Sequence, residues 1–553
     1  MVSNHQILVV GAGPTGLTLA CELFRLGVGC RIVDASQPTG NGSRAIGVSA
    51  RSLEILDEFG AAEQLVELGV CSTRAAFYSG RSRLAEVSAA AVRDTRFPFM
   101  LTVPQPDTVR ILEQRLRSLG GEVERPVVVR DLAPDAGGES VSVVLEHADD
   151  TTENASASWV VGADGAHSVV RKRSGIGFEG AAAKDTFIIV DVLADGGPPA
   201  GEGHYYFHPD GLSLVAGLPD GSYRLAATTA AGTDVGGLTL ADVQDLFERR
   251  IDTRIRIRQL RDAGWGVATT QVRTRMASTF RAGRCVIAGD AAHLFGPVGG
   301  QGMNGGIQDA HNLAWKLALV CLDAAGEELI DTYEAERLPA AKVAMSAASG
   351  QTRLGTLRPW LARTARDLLL RLGGRTGKLT ERLVPTLTQL GTTYPASSHF
   401  GLSHGSVRGA GQRIADTPVH GVPDAATLFD LLRRRWFTVL VLGAGPADEH
   451  AVRTLADSLA GPGDAPLAAQ VIALGRETTG GLARPERAQD VGDRLHQTLS
   501  VSGPSAYLVR PDGFVAVSTT LGDTAPITAT MARLAGGPRA AAVARSESRG
   551  NLP

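Results

Sequence analysis

Gly11-Ala-Gly13-Pro-Thr-Gly16 stands directly after the apolar run Ile7-Leu-Val-Val10 and opens a stretch, Pro14 to Leu26, with helical character. Three glycines at these positions between a buried strand and a helix leave few folds open. The first permits a tight turn, the second brings backbone close to a ligand, and the third lets the helix pack on the strand. The helix start then offers N–H groups and the positive end of its dipole to a pyrophosphate. Asp34 ends the following strand, Arg31-Ile-Val-Asp34, at the spacing where a carboxylate takes ribose hydroxyls. Gly11, Gly13, Pro14, Thr15, Gly16 and Asp34 therefore predict a β-α-β unit that holds a dinucleotide. The alternative is a glycine-rich turn in an ordinary α/β unit, which would not need the strand, helix and acid to be in register.

A second glycine cluster follows another buried run. Gly289-Asp290-Ala-Ala-His293 succeeds Cys285-Val-Ile-Ala288, and Pro297-Val-Gly299-Gly300-Gln301-Gly302-Met303-Asn304 leads into a helix that continues through Asn312-Leu-Ala-Trp-Lys316. A nest of N–H groups at a helix start suits a ligand that becomes anionic. Asp290, just past the strand, is placed to accept from a sugar hydroxyl. Glycines that merely permit tight packing explain Gly299 to Gly302 equally well.

Between residues 178 and 272 the texture changes to short alternating runs. Tyr205-Tyr-Phe207, Leu212-Ser-Leu-Val215 and Tyr223-Arg-Leu-Ala226 are separated by Pro209-Asp-Gly211 and Pro219-Asp-Gly221. Pro-Asp-Gly between apolar runs is turn chemistry, so an antiparallel sheet is expected. Strand and helix patterns resume over 273–396. The stretch Ser397 to Gly411 reads as a linker into a last α/β segment, 397–536, and 537–553 reads as a disordered tail. A chain of 553 residues exceeds one core and calls for several domains. Its formal charge of −3 and lack of a long basic run argue against nucleic acid or an anionic membrane as partner. Cys21, Cys30, Cys71, Cys285 and Cys321 are scattered without a CxxC, which excludes a disulfide framework and a cysteine-built zinc site. No basic leader opens the chain and no run of ~18 apolar residues spans a membrane, so a cytoplasmic location is expected.

Taken in order, these stretches resemble the group A flavoprotein aromatic hydroxylases of the para-hydroxybenzoate hydroxylase fold, in the branch acting on phenols and aromatic polyketides. Gly11–Gly16 matches the first family signature and Ala163-Asp164-Gly165-Ala-His-Ser168-Val-Val-Arg171 the second. Arg284-Cys-Val-Ile-Ala-Gly289-Asp290 matches the third, with the run Pro297 to Lys316 after it. Ser43-Arg44-Ala45, Arg51-Ser-Leu-Glu54 and Val103-Pro-Gln105 are similar to the family's FAD contacts. The resemblance covers about residues 6–340.

The resemblance implies an α/β fold: a Rossmann-like FAD domain (1–177 and 273–396) interleaved with an antiparallel-sheet substrate domain (178–272). A thioredoxin-like domain without cysteines (397–536) follows. It implies FAD and NAD(P)H, with NADPH expected, and no metal. FAD would be held by the first cluster together with Arg44, Gln105, Asp164, Arg171, Gly289, Asp290, Pro297, Gly299, Gly300, Gln301, Gly302, Met303 and Asn304. Reduced flavin would take up O2 as a C4a-hydroperoxide and pass one oxygen atom to an apolar, aromatic, polycyclic substrate in secondary metabolism. Tyr205, Tyr206, Phe207, Trp265 and Pro297 would line its pocket, or be half-buried sheet residues. No catalytic acid or base can be named, and a monomer or homodimer is expected.

Asp34 stands where relatives usually have Glu, and Val109 where they often have Glu. His293 would pack or hydrogen-bond beside FAD rather than transfer protons. Gly443-Ala-Gly445-Pro-Ala-Asp448 imitates a second dinucleotide loop, with Asp448 in the third glycine's place. Gly411-Gln-Arg-Ile-Ala-Asp416 and Ala506 to Gly513 instead resemble the thioredoxin-like domain of phenol-hydroxylase relatives. A Baeyer–Villiger or epoxidising enzyme on the same scaffold, or an inactive flavin-binding partner protein, remains open. The absence of Trp-x-Trp-x-Ile-Pro disfavours a halogenase.

Overall fold

The computed structural model describes residues 3–37, 45–135, 137–230, 238–251, 255–261, 268–296, 299–397, 399–433, 436–460, 467–475 and 486–536. The expected tail 537–553 lies outside them. The chain divides into two compact units, one of residues 1–92, 97–311 and 341–390, the other of 93–96, 312–340 and 391–553.

The first unit contains two large sheets. In one, Ser3–Val10 pairs in parallel with Arg31–Val33 on one side and Thr152–Gly162 on the other. Val123–Glu124 and Cys285–Ile287 extend it in parallel at either end. Ile7, Leu8 and Val9 are at most 1% exposed, which is why this strand reads as an unbroken apolar run. Helix Pro14–Arg25 buries Leu17, Ala20 and Leu23 and packs against Gln105–Ser118. Its first residue can be proline because that N–H has no intrahelical acceptor.

The second sheet is the antiparallel one expected between 178 and 272. Glu202–His208, Gly211–Gly217, Tyr223–Ala230 and the long strand Phe178–Asp195 follow one another as neighbours, joined at both Pro-Asp-Gly turns. Two strands come from far upstream. Arg74–Ser79 pairs in parallel with Glu202–His208, and Ser82–Ser88 forms the edge beyond it. Sequence order assigns both to the FAD-binding part, because nothing local tells a hairpin which distant sheet it will join. Helices Trp360–Arg375 and Lys378–Thr388 lie against that edge.

The second unit holds a seven-stranded sheet in the order Leu402–Ser403, Val515–Thr520, Ser505–Val509, Phe437–Leu442, Ala469–Gly475, Glu486–Asp490, Val419–His420. Residues 312–340, which the sequence pattern assigns to the FAD-binding segment, group here. Their polar side chains form a buried cluster. Lys316 Nζ donates to Glu336 at 2.9 Å and to Asn312 at 2.8 Å, and Arg510 pairs with both Glu336 and Asp512. The Arg510 guanidinium also lies within 5.7 Å of the ring centres of Trp315, Tyr394, Phe400 and Phe514. Burial pulls the Lys316 amine down to about 8 against the attraction of Glu336. Asp448 accepts the Gly445 N–H at 2.9 Å, so the loop after Phe437–Leu442 is capped by the chain's own carboxylate. Among the described residues no helix is long and apolar enough to cross a membrane.

Candidate functional site

The three glycines of the first loop have separate reasons. Gly11 takes φ +103°, and a Cβ there would meet the Ala163 carbonyl at 2.4 Å. A Cβ on Gly16 would lie 1.9 Å from the Gly11 oxygen. A Cβ on Gly13 would meet nothing beyond its chain neighbours within 4 Å, so the loop is open at the point where a ligand's phosphates would approach. Asp34 accepts from Ala12 N at 2.6 Å and Ser36 N at 2.7 Å, which fixes its carboxylate at the loop. Thr15 faces the other way. Cβ atoms on Gly289 and Gly306 would come within 2.6 and 2.2 Å of its hydroxyl, so first and third signatures are packed together through it.

Asp290 is exposed, yet the protein packed around its carboxyl raises the pKa, outweighing the pull of His293. Gly302 leaves it room: a Cβ there would stand 3.7 Å from the Asp290 Oδ1. Asp164 accepts Val169 N at 2.6 Å and Val170 N at 3.2 Å with Oδ2. Its Oδ1 is buried with no partner among the described residues, and burial pushes this carboxyl up as well. An open cradle at Gly13, an orphaned acceptor at Asp164 and an exposed carboxylate at Asp290 are what FAD needs: donors for phosphates, acceptors for hydroxyls. The residues fit that cofactor.

Several residues expected to touch the cofactor also hold the fold together. Arg171 is buried under the Phe178 ring, its guanidinium 3.9 Å from the ring centre, and donates to the carbonyls of Ala291 and Ala166. It ties the second signature to the third, and burial lowers its pKa. Asn304 accepts from Ser49 N at 2.8 Å and donates to the carbonyls of Gly47 and Gly300. Gln301 donates to the Gly299 and Thr386 carbonyls and accepts from Gln389, which in turn accepts from Gln308. Arg51 and Glu54 form a buried pair at 3.0 Å. In each case backbone or a neighbouring side chain engages the group, which spacing along the sequence does not reveal.

His293 is fully buried, bonded to Asp309 at 2.6 Å and stacked on Phe295. Gly299 and Gly300 take φ +85° and +63°. Gln105 begins its helix with its N–H on the Ala45 carbonyl, and Met303 is half-buried. Arg44, Trp265 and Pro297 lie outside the described residues.

Beside this crevice is a cavity of about 190 Å3. One face of the antiparallel sheet supplies Phe187, Ile189, Tyr205 and Leu214, helix Lys378–Thr388 supplies Val384 and Leu387, and Gly47, Gly299 and Gly300 close the remaining side. Tyr205 is among the lining residues, and burial pushes its hydroxyl pKa up. Phe207 shares its face but lies under the Arg366 guanidinium at 4.3 Å, outside the lining. Tyr206 points to the opposite face, into a core with Val215 and Phe247. Arg224 reaches this cavity, and the sequence argument did not single it out. Alternation within Tyr223-Arg-Leu-Ala226 held the signal: Arg224 shares the face of cavity-lining Ala226, whereas Leu225 joins the core behind.

Comparison with known proteins agrees with this geometry. The family described as FAD binding domain matches residues 4–348. The chain belongs to that family. Among curated relatives, 6-methylpretetramide 4-monooxygenase of Streptomyces rimosus is 33% identical over 96% of this chain and 93% of its own length. A flavin-dependent monooxygenase of Mycobacteroides abscessus is 33% identical over 94% and 98%. Among solved structures, OxyS anhydrotetracycline hydroxylase from Streptomyces rimosus superposes with a TM-score of 0.71 at 28% identity, covering 97% of this chain and all of that one. This member of the family is an FAD-dependent monooxygenase.

Proposed function

We propose that the enzyme oxygenates an aromatic, polycyclic, polyketide-like molecule in secondary metabolism, with NADPH as reductant. The observation that carries this is the cavity: an aromatic and aliphatic sheet face closed by the same glycines, Gly299 and Gly300, that belong to the cofactor loop. Relatives named for 6-methylpretetramide and anhydrotetracycline point the same way. Gly13 and the helix start at Pro14 would hold the pyrophosphate, Asp34 and Asp290 the hydroxyls, and Asp164 Oδ1 a further donor of FAD. When bound, FAD would supply a hydride acceptor for the nicotinamide and the means to activate O2.

The protein's part is to bind, orient and keep water out. Phe187, Ile189, Tyr205 and Leu214 offer a flat apolar face to a ring system, with about 25 cal/mol gained per Å2 buried. Arg224, held by Asp191, supplies the fixed charge on that face toward a phenol or quinone oxygen. Residues 397–536 we read as a thioredoxin-like domain. In support, parallel Phe437–Leu442 and Ala469–Gly475 flank a helix, and the antiparallel pair Ser505–Val509 and Val515–Thr520 adds to the same sheet. Without a cysteine it serves as scaffold. A cytoplasmic location fits five cysteines that are all free.

Turnover under 18O2 tests the reaction. One labelled oxygen in the product supports it, and the product's structure separates hydroxylation from ring insertion or epoxidation. Product carrying only solvent oxygen, or H2O2 released in equal amount with dehydrogenated product, means an oxidase instead.

A further inference from the structure

The formal charge of −3 is an average over very different regions. From Arg353 to Arg382 the chain carries seven arginines and one lysine against two acids, Asp367 and Glu381. One of those acids is already engaged, since Asp367 pairs with Arg366 at 2.7 Å. The same segment holds Leu354, Trp360, Leu361, Leu368, Leu369 and Leu372, six of the nine exposed large hydrophobics among the described residues. Singly scattered apolar residues need no explanation, but a cluster on one helix does.

Helix Trp360–Arg375 is apolar on two sides. Its inner side, with Leu370 and Gly374, lies against Leu84 and Ala85 of the edge strand. Leu361, Leu368 and Leu372 recur at helical spacing on the outer side, 63%, 56% and 49% exposed, with Leu369 beside them at 68%. Arg371 and Arg375, both exposed, fall on one flank of that stripe, and Trp360 stands at its start. Lys378 and Arg382 continue the charge along the next helix, whose other side closes the cavity with Val384 and Leu387.

We propose that this helix face docks on an anionic lipid surface. A leucine stripe flanked by arginines, with a tryptophan at its end, matches an acyl boundary beneath negative headgroups. A second copy of the chain fits it worse, because an isologous contact would bring two such arginine sets together with almost no acid to offset them. The contact is peripheral, a single helix lying in the interface, and so needs no spanning helix; no described helix is long and apolar enough to be one. Its charge was invisible in the whole-chain balance because acids elsewhere cancel it.

The test is co-sedimentation of the full-length protein with vesicles of phosphatidylglycerol and phosphatidylethanolamine, against vesicles of phosphatidylcholine, at low and high salt and without substrate. Docking predicts binding to the anionic vesicles at least about tenfold tighter than to the neutral ones, weakened by salt. Arg371→Glu with Arg375→Glu, and separately Leu368→Glu with Leu372→Glu, should each abolish it while the melting temperature and FAD content stay at wild-type level. Equal binding to both vesicle types overturns the proposal, as does no binding to either. A concentration-dependent dimer that the Leu368→Glu, Leu372→Glu variant dissolves would also overturn it, and would make a second copy the occupant.

Discussion

Arg224 and Asp191 face each other across neighbouring strands and join through two hydrogen bonds of 2.7 and 2.8 Å, both side chains nearly buried, with Arg224 lining the cavity. A buried charge that loses its partner is far more costly than the intact pair is favourable. Arg224→Met alone should therefore destabilise the protein by about 3–5 kcal/mol in urea unfolding, whereas Arg224→Met with Asp191→Leu should recover most of that loss. If the arginine orients substrate, the recovered double variant will still show a raised KM. A double variant with wild-type stability and wild-type kinetics would remove Arg224 from the substrate site.

Gly13 and Gly16 should separate binding from folding. Gly16→Ala forces a methyl group onto the Gly11 carbonyl and should cost about 1–3 kcal/mol of apoprotein stability. Gly13→Ala meets no protein atom, so the apoprotein should melt within about 0.5 kcal/mol of wild type. Its FAD dissociation constant should nevertheless rise at least about tenfold, because the methyl occupies the approach to the pyrophosphate. Fluorescence titration of apoprotein with FAD reads the second effect and thermal melting the first.

Asp290 carries a pH signature. Its carboxyl pKa is raised by desolvation, so the folded apoprotein holds this proton to higher pH than the unfolded chain does. Its contribution to stability is thus greatest below the ordinary carboxyl value of about 3.9 and declines as pH climbs above that, levelling off beyond the raised value. Asp290→Ala should remove this decline, leaving the apoprotein more stable than wild type near neutrality. FAD affinity should fall by about 1–3 kcal/mol for the lost hydroxyl acceptor. An apoprotein variant less stable than wild type at neutral pH would show that the carboxylate has a structural partner instead.

Truncation before residue 397 leaves every FAD signature in place, and sequence alone would expect such a piece to survive. The buried cluster argues otherwise, since Glu336 takes two of its hydrogen bonds from Arg510. Arg510→Met in the full chain should cost about 3–5 kcal/mol, because Glu336 and Asp512 stay buried with one cation between them. The truncated chain should express as aggregate. A soluble, FAD-loaded truncation with wild-type melting behaviour would show that Lys316 alone satisfies Glu336.

What the sequence by itself determined is the part governed by local rules. The glycine loop, the closing acid Asp34, the Gly289-Asp290 turn and the two Pro-Asp-Gly turns require particular backbone shapes within a few residues, and all appear as read. Only the tertiary structure decided how side chains were spent. Arg171, Gln301 and Asn304 have the residue types of cofactor contacts, yet their partners are Ala291, Gln389 and Ser49, more than eighty residues away in sequence. The same holds for the hairpin Arg74–Ser88 joining the substrate sheet and for Lys316 meeting Glu336 and Arg510. A turn's energy is set by its own φ and ψ angles, which neighbours in sequence dictate. The fate of a polar side chain depends on whichever acceptor the folded chain brings within 3 Å, and that is a property of packing.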